Sequence, residues 1–158
     1  STIGVHPQLE HFLEHSEAHL AISLHNPFSE ERKEIMATEA AWPIEKTVEM
    51  IKRYDFSRQR RVSFEYIMFS QLNDSKRYAD ALIRLLRGLH CRVNLIRFHA
   101  IPNFPHKSSP RAVMEGFRDR LNRGGVTATI RASRGEDIMA ACGMLSSLSA
   151  DSDNGRGV

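Results

Sequence analysis

The sequence predicts an α/β fold in which parallel strands alternate with helices. Short runs of apolar, β-branched and aromatic residues recur along the chain, and amphipathic helical spacing separates them. The predicted strands cover residues 20–24, 61–69, 92–98 and 126–131. Helices between consecutive strands indicate βαβ units, in which the strands run parallel.

The predicted helices each carry apolar residues three or four positions apart. Proline at a first-turn position begins one of them, at Pro43. Residues 73–75 cap another, and Gly124 ends the one that follows Pro110. A last short helix is predicted over residues 137–145. The buried stripes comprise Leu9, Phe12 and Leu13; Ile44, Val48 and Ile51; Tyr78, Leu82, Leu85, Leu86 and Leu89; and Val113, Phe117 and Leu121.

The bulk composition is that of one globular domain. The chain has 158 residues, of which 41% are hydrophobic and 26% charged, and no apolar run reaches the length of a membrane span. Two distant cysteines do not form a disulfide framework, so a reducing cytoplasm is expected. The net charge of +3 permits an anionic partner without requiring one. We expect a domain over residues 1–145 and a polar, disordered tail over residues 146–158.

Polar residues collect where the predicted strands end. Ser23 and His25 close the first strand, Arg97 and His99 close the third, and Arg131 ends the fourth. Sites in parallel α/β folds gather at the carboxyl ends of strands. The sequence therefore predicts that these side chains converge at one end of the sheet.

The segment of residues 134–143 holds Cys142 between small residues. A sulfur flanked by alanine and glycine is sterically open and could meet a substrate. The alternative is a small buried apolar residue, which free cysteine often is. The segment alone does not decide between the two.

Six motifs occur in an order that resembles a known family. They are Ser-Thr-Ile-Gly (1–4), Leu-Ala-Ile-Ser-Leu-His (20–25), Glu-Tyr-Ile-Met-Phe (65–69), Leu-Asn-Asp-Ser (72–75), Val-Asn-Leu-Ile (93–96) and Arg-Gly-Glu-Asp-Ile-Met-Ala-Ala-Cys-Gly (134–143). Together they resemble the C-terminal part of radical S-adenosylmethionine (SAM) RNA methyltransferases of the RlmN/Cfr type. The resemblance runs from Ser1 to about residue 145, and the last motif is its most specific part.

The resemblance implies part of a (β/α) barrel that holds SAM and a [4Fe–4S] cluster. Family members methylate an adenine carbon of 23S ribosomal RNA, and some also modify transfer RNA. One SAM methylates a cysteine, and a second yields a 5′-deoxyadenosyl radical that takes a hydrogen from the S-methyl group. The resulting carbon radical adds to adenine, and a second cysteine resolves the adduct.

The motifs also imply roles for individual residues. Cys142 matches the cysteine that becomes S-methylcysteine, whereas Ser1 and the segment Ser23-Leu24-His25 match SAM-contacting positions. His99 stands where the family has a SAM-contacting asparagine. The chain also departs from the family at three other positions, where Arg97 replaces proline, Met144 replaces glutamine and Asn26 replaces alanine. They leave open a related enzyme with another substrate.

The cluster of this family needs a Cys-x3-Cys-x2-Cys motif, which the sequence does not contain. Cys91 does not match the resolving cysteine and reads as a packing residue. The chain begins at a strand-to-loop junction with Ser1 and no preceding strand. We therefore expect a fragment that is inactive alone and whose open barrel edge leads to self-association or to an altered packing of the first segment.

Other polar and charged residues of the sequence have both a structural and a functional explanation. His11, His15 and His19 have helical spacing, but an exposed polar face is favoured over a metal site. Glu65 faces inward on its strand and needs a partner, for which Arg131 is the candidate. An RNA-binding remnant without catalysis, acting through arginines alone, is the alternative from a different functional class.

Overall fold

The fold is a four-stranded parallel sheet covered by helices. The computed structural model describes residues 2–4, 6–40, 42–56, 61–99 and 105–131. In chain order these form α1 (Gln8–His15), β1 (Leu20–Ser23), α2 (Ser29–Ile35), a 3₁₀ turn (Ala37–Ala40), α3 (Ile44–Ile51), β2 (Val62–Met68), α4 (Lys76–Leu85), β3 (Cys91–Arg97), α5 (Arg111–Arg123) and β4 (Thr127–Arg131). The strand order is β1-β2-β3-β4, and every neighbouring pair is parallel. The predicted alternation of parallel strands and helices is confirmed.

One face of the sheet forms the main core. Ile22, Phe64, Val93 and Ala128 lie in register across the four strands and are all buried. Helices α1, α3, α4 and α5 pack their apolar stripes against this face, as the spacing of their apolar residues predicts. On α5 the stripe differs from the prediction at one position: Met114 is buried, whereas Val113 is 38% exposed, contrary to its predicted place in the core.

The opposite face of the sheet is polar. Since side chains alternate along a strand, the residues between the core positions point the other way. This polar face carries, row by row in register, Ala21, Ser63, Arg92 and Thr127, then Ser23, Glu65, Asn94 and Thr129. Near the strand ends a small apolar cluster of Ile67, Phe69 and Phe98 adjoins it. The sheet thus has one apolar face that forms the core and one polar face whose side chains could contact a ligand.

The first described residues lie beside β1. Thr2 forms a parallel bridge with Ile22, and Gly4 accepts a hydrogen bond from the Thr47 hydroxyl at 3.0 Å through its carbonyl. Gly4 has a φ of 78°, and a Cβ there would meet the Thr47 methyl carbon at 2.7 Å. Glycine is therefore required at the point where this segment leaves the sheet.

Several sequence predictions fall outside the described residues. They concern Ser1, Cys142, the predicted helix over residues 137–145 and the tail over residues 146–158. Among the helices that the structure describes, none is long and apolar enough to cross a membrane.

Candidate functional site

The candidate site lies where β1 ends, at Ser23, Leu24 and His25. These residues are between 0% and 2% exposed, so the segment is enclosed by the fold. The Leu24 amide donates to the Glu65 carbonyl at 3.0 Å, which extends the pairing with β2 beyond the strand. The carboxyl end of a parallel strand is thus held close to its neighbour, in the position expected for a ligand site.

A buried arginine fixes the carbonyl groups of this segment. Arg32 donates from Nε to the Leu24 carbonyl and from Nη2 to the Ser23 carbonyl, each at 2.7 Å. Its remaining charge is paired with Glu39, and both side chains are at most 1% exposed. Burial lowers the pKa of Arg32, and the attraction of Glu39 opposes that shift. The guanidinium therefore stays charged and clamps two consecutive carbonyls.

Helix α2, which carries Arg32, was not predicted from the sequence. Its segment of Ser29–Ile35 is rich in charged residues and lacks an apolar stripe. The acid that pairs with Arg32 is anchored in turn, because Glu39 accepts hydrogen bonds from the Ser29 hydroxyl and the Ile44 amide. A charged residue buried through long-range pairing leaves no periodic pattern in the sequence, so the clamp could not be found there.

His25 is buried with one ring nitrogen satisfied. The Ile67 amide donates to His25 Nδ1 at 3.1 Å, so the ring proton lies on Nε2. Nε2 is buried and has no hydrogen-bond acceptor within the described part of the chain. Burial, with a smaller contribution from the positive charge of Arg32, lowers the pKa of His25 to about 3. The imidazole is therefore a neutral donor throughout the physiological pH range.

The low pKa of His25 predicts a loss of stability in acid. Between pH 6.5 and 3 the unfolded chain binds a proton at this position that the folded chain does not. Unfolding free energy should therefore fall as pH decreases below 6.5, by about 1.4 kcal/mol per pH unit from this group. Urea titrations between pH 7 and pH 5 measure the slope.

The variant His25→Asn should reduce that slope. Asparagine tolerates the positive φ of 56° found here and offers an oxygen to the Ile67 amide, but it does not titrate. His11→Asn, at an exposed helical position, retains His25 and should keep the wild-type slope. Equal slopes for His25→Asn and the wild type would show that the buried imidazole does not govern the acid response.

Asn73 joins the ends of β1 and β2. Its side-chain amide donates to the carbonyls of His25 and Ile67, each at 2.7 Å, and its oxygen accepts from the Phe69 amide at 2.7 Å. The sequence predicts a capping role for residues 73–75, but the observed N-cap, Ser75, makes no side-chain cap bond. Asn73 instead satisfies buried backbone groups between the strand ends, and so holds His25 in its left-handed conformation.

A hydrogen-bonded row crosses the polar face beside Ser23. The Asn94 amide donates to Glu65 Oε1 at 2.8 Å, and the Thr129 hydroxyl donates to Asn94 Oδ1 at 3.1 Å. Arg131 Nη1 lies 3.5 Å from Glu65 Oε2, which confirms the predicted ion pair. Exposure increases along the row, from 1% for Ser23 and 7% for Glu65 to an exposed Thr129.

The last residue of β3, Arg97, does not lie on the polar face. Asn94 shares the polar face with Ser23 and Glu65, so Arg97, three positions later, starts from the opposite face. His99 lies two residues beyond the end of β3, where strand alternation no longer applies, and is exposed. Ser23 and Arg131 therefore lie on the polar face and Arg97 does not, and the convergence of these side chains at one end of the sheet stays a prediction.

Some of the remaining candidates lie in the part of the chain that the structure describes, and others lie outside it. Cys91 is half-buried, and burial raises the pKa of its thiol to about 12, in keeping with a packing residue. Helix α1 ends at His15, so His19 is not on it and instead accepts from the Arg61 amide. Within the described residues no group of three or more potential ligands could hold a metal ion. Ser1 and Cys142 stay predictions.

Comparisons with known proteins agree with the sequence resemblance. The chain is 62% identical over 146 residues to a probable dual-specificity RNA methyltransferase RlmN of Parabacteroides distasonis, covering 92% of this chain and 43% of that protein. A second such protein, from Porphyromonas gingivalis, is 59% identical over 96% of this chain and 44% of its own length. The RlmN of Syntrophus aciditrophicus is 38% identical, over 92% of this chain and 42% of that protein. No family model matches the chain.

Solved structures show the same fold. A radical SAM methyltransferase from Sphaerobacter thermophilus superposes with a TM-score of 0.79 at 38% identity, covering 89% of this chain and 41% of that one. A domain of a pyruvate-formate lyase-activating enzyme from Bacteroides vulgatus reaches a TM-score of 0.61 at 17% identity, over 82% of this chain and 76% of that one. The latter shows similarity of fold alone.

The resemblance predicted from the six motifs is confirmed by these relatives. The chain spans less than half the length of the curated relatives that it matches. What the whole protein binds and modifies is therefore a matter for proposal.

Proposed function

We propose that this chain is part of a radical SAM enzyme that methylates an adenine carbon of RNA through an S-methylcysteine at Cys142. The observation that carries the proposal is similarity to RlmN proteins over 92% or more of the chain, at 52–62% identity in several cases. The substrate that we propose is 23S ribosomal RNA, with transfer RNA as a second substrate. The reaction would take place in the cytoplasm, where free thiols persist.

The residues at the end of β1 fit a SAM site. SAM presents ribose hydroxyls, an adenine ring and a charged amino-acid group, all of which need hydrogen-bonding partners. His25 Nε2 is a buried donor with no acceptor among the described residues, and Ser23 adjoins a polar face rather than the core. Ser23, Leu24 and His25 would hold SAM, together with Ser1 and His99 as expected from the motifs. When bound, SAM supplies the methyl group and, on reduction, the 5′-deoxyadenosyl radical.

The residues of this chain do not fit a [4Fe–4S] cluster. Three thiolates are needed, whereas the chain has two cysteines, and burial keeps the Cys91 thiol protonated. We infer that the ligands come from outside these 158 residues, so that the chain alone does not perform the radical step. The thiol that resolves the adduct must likewise come from outside these 158 residues.

The contribution of this chain is to hold the methyl carrier and to shape the site. The thiolate of Cys142 would accept the methyl group of SAM at sulfur and become a thioether, with S-adenosylhomocysteine as the leaving group. Arg32 and Asn73 fix the backbone at Ser23 and His25, so the donors that face the ligand need no rearrangement on binding. A neutral His25 would donate to bound SAM without adding a positive charge to that of the cofactor.

An RNA methylation assay tests the proposal. The full-length protein, with its cluster reconstituted anaerobically, is incubated with SAM and with ribosomal RNA from cells that lack the modification. Nucleoside analysis by mass spectrometry should detect a C-methylated adenosine only when SAM and reductant are present. Salt-dependent RNA binding without any SAM-dependent methylation would instead support the RNA-binding alternative. Parallel reactions with transfer RNA test the second substrate.

A further inference from the structure

Glu65 carries an oxygen without a hydrogen-bond donor on the polar face of the sheet. Its Oε1 is occupied by Asn94, but among the described residues Oε2 receives no hydrogen bond, although Glu65 is only 7% exposed. Buried carboxylate oxygens normally accept hydrogen bonds, because an unsatisfied one keeps its desolvation cost. The ion pair with Arg131 offsets part of this cost without supplying the bond, since the two atoms are 3.5 Å apart.

The orientation of this carboxylate is fixed by its neighbours. The Thr129 hydroxyl donates to Asn94 Oδ1, which leaves the Asn94 amide to donate to Glu65. Each residue of the row therefore donates to the next, from Thr129 through Asn94 to Glu65, and the row ends in the acceptor Glu65. Glu65 is also the register partner of Ser23, so the acceptor lies on the strand next to the proposed SAM contact.

The Glu65–Arg131 pair presents an acceptor beside donors. Glu65 Oε2 can accept one hydrogen bond, and the guanidinium of Arg131, whose side chain is 56% exposed, offers N–H groups next to it. The complementary ligand has an amino group beside a ring nitrogen, as the edge of adenine does. A phosphate or a carboxylate would suit Arg131 but would be repelled by Glu65.

We propose that Glu65 and Arg131 form a recognition site for the edge of an adenine ring, with Asn94 and Thr129 as positioning residues. The amino group of the base donates to Glu65 Oε2, and a ring nitrogen accepts from Arg131. This inference rests on the proposed function, in which both SAM and the RNA target contain adenine. The same chemistry can thus come from the cofactor or from the substrate base.

Paired ligands in which a carbonyl oxygen replaces the purine amino group, and N1 gains a proton, test the site. Binding of S-adenosylhomocysteine and S-inosylhomocysteine to the full-length protein is measured by calorimetry, for the wild type and for Glu65→Gln. RNA hairpins with adenosine or inosine at the target position provide the second arm. Inosine has an oxygen in place of the amino group, so the wild type should prefer adenosine by about tenfold in one arm.

Glu65→Gln should replace a hydrogen-bond acceptor with a donor at one atom, Oε2. Glutamine preserves the volume, and its carbonyl can still accept from Asn94, while its amide replaces Oε2 with a donor that suits inosine. The adenosine preference should therefore fall to about one in the arm that carries the interaction. If the adenosine preference is lost for the homocysteine ligands, the site binds the adenine of the cofactor. If it is lost for the RNA hairpins, the site binds the adenine of the substrate.

Two controls keep the result interpretable. Ser63→Ala changes a half-buried residue one row away on the same face and should leave the preference at its wild-type value. Arg131→Gln, at an exposed position, should also lower the preference, and it replaces Glu65→Gln if that variant fails to fold. An adenosine preference unchanged by Glu65→Gln and by Arg131→Gln in both arms would overturn the inference while leaving the proposed function intact. A wild type that binds no S-adenosylhomocysteine would count against the proposed function itself.

Discussion

Replacing Cys142 with alanine should abolish RNA methylation by the full-length protein while leaving SAM binding intact. The sulfur of Cys142 is the atom proposed to hold the methyl carbon, and alanine has no nucleophile with which to accept it. Product formation should fall by at least about 1,000-fold, the scale seen when a covalent nucleophile is removed. Quantifying methylated adenosine over time, together with calorimetric titration of S-adenosylhomocysteine, measures both effects.

Cys91→Ala is the matched control for this prediction. The Cys91 thiol is half-buried on β3, and its pKa of about 12 keeps it protonated and unreactive. This variant should methylate RNA at close to the wild-type rate. A Cys142→Ala protein that retains methylation, or a Cys91→Ala protein that loses it while folded, would show that the methyl carrier has been assigned to the wrong cysteine.

The largest effect on stability is expected from Arg32→Met. This change leaves Glu39, which is 0% exposed, without its cation, and it removes the donors to the carbonyls of Ser23 and Leu24. Breaking a buried ion pair by removing one partner typically costs about 3–5 kcal/mol. The unfolding free energy from urea titration should fall by that amount, and the SAM affinity should fall with it.

Two comparisons separate the buried charge from general effects of the substitution. In the double variant Arg32→Met/Glu39→Met no unpaired charge remains, so part of the lost stability should return. Arg111→Met removes an exposed i,i+4 pair with Glu115 and should change stability little. If Arg32→Met lost no more stability than Arg111→Met, the buried clamp would have no structural importance.

The sheet could be predicted from the sequence because it rests on local patterns. Each strand is a short apolar or alternating run, and each was predicted to within one residue or so of its observed bounds. For example, the prediction of residues 61–69 compares with Val62–Met68. Helix α5 shows the limit of such patterns, since the choice between Val113 and Met114 as the buried residue depends on packing against the sheet.

The candidate site was only partly accessible to sequence reasoning. The pairing of Glu65 with Arg131 could be inferred because a buried carboxylate on an inward strand position needs a cation from a neighbouring strand. The roles of Arg32 and Asn73 could not, since both bind backbone carbonyls, which any residue supplies. The sequence also could not show on which face of the sheet Arg97 lies, because that depends on the register of β2 with β3.

The methyl-carrier role of Cys142 is tested most directly by mass spectrometry of its peptide. Full-length protein purified from SAM-replete cells is digested, and the fragment that spans residues 134–143 is compared with the Cys91 peptide from the same digest. We expect one extra methylene on the sulfur of Cys142 and none on Cys91. An unmodified Cys142 peptide, from protein that nonetheless methylates adenosine in RNA, would contradict it.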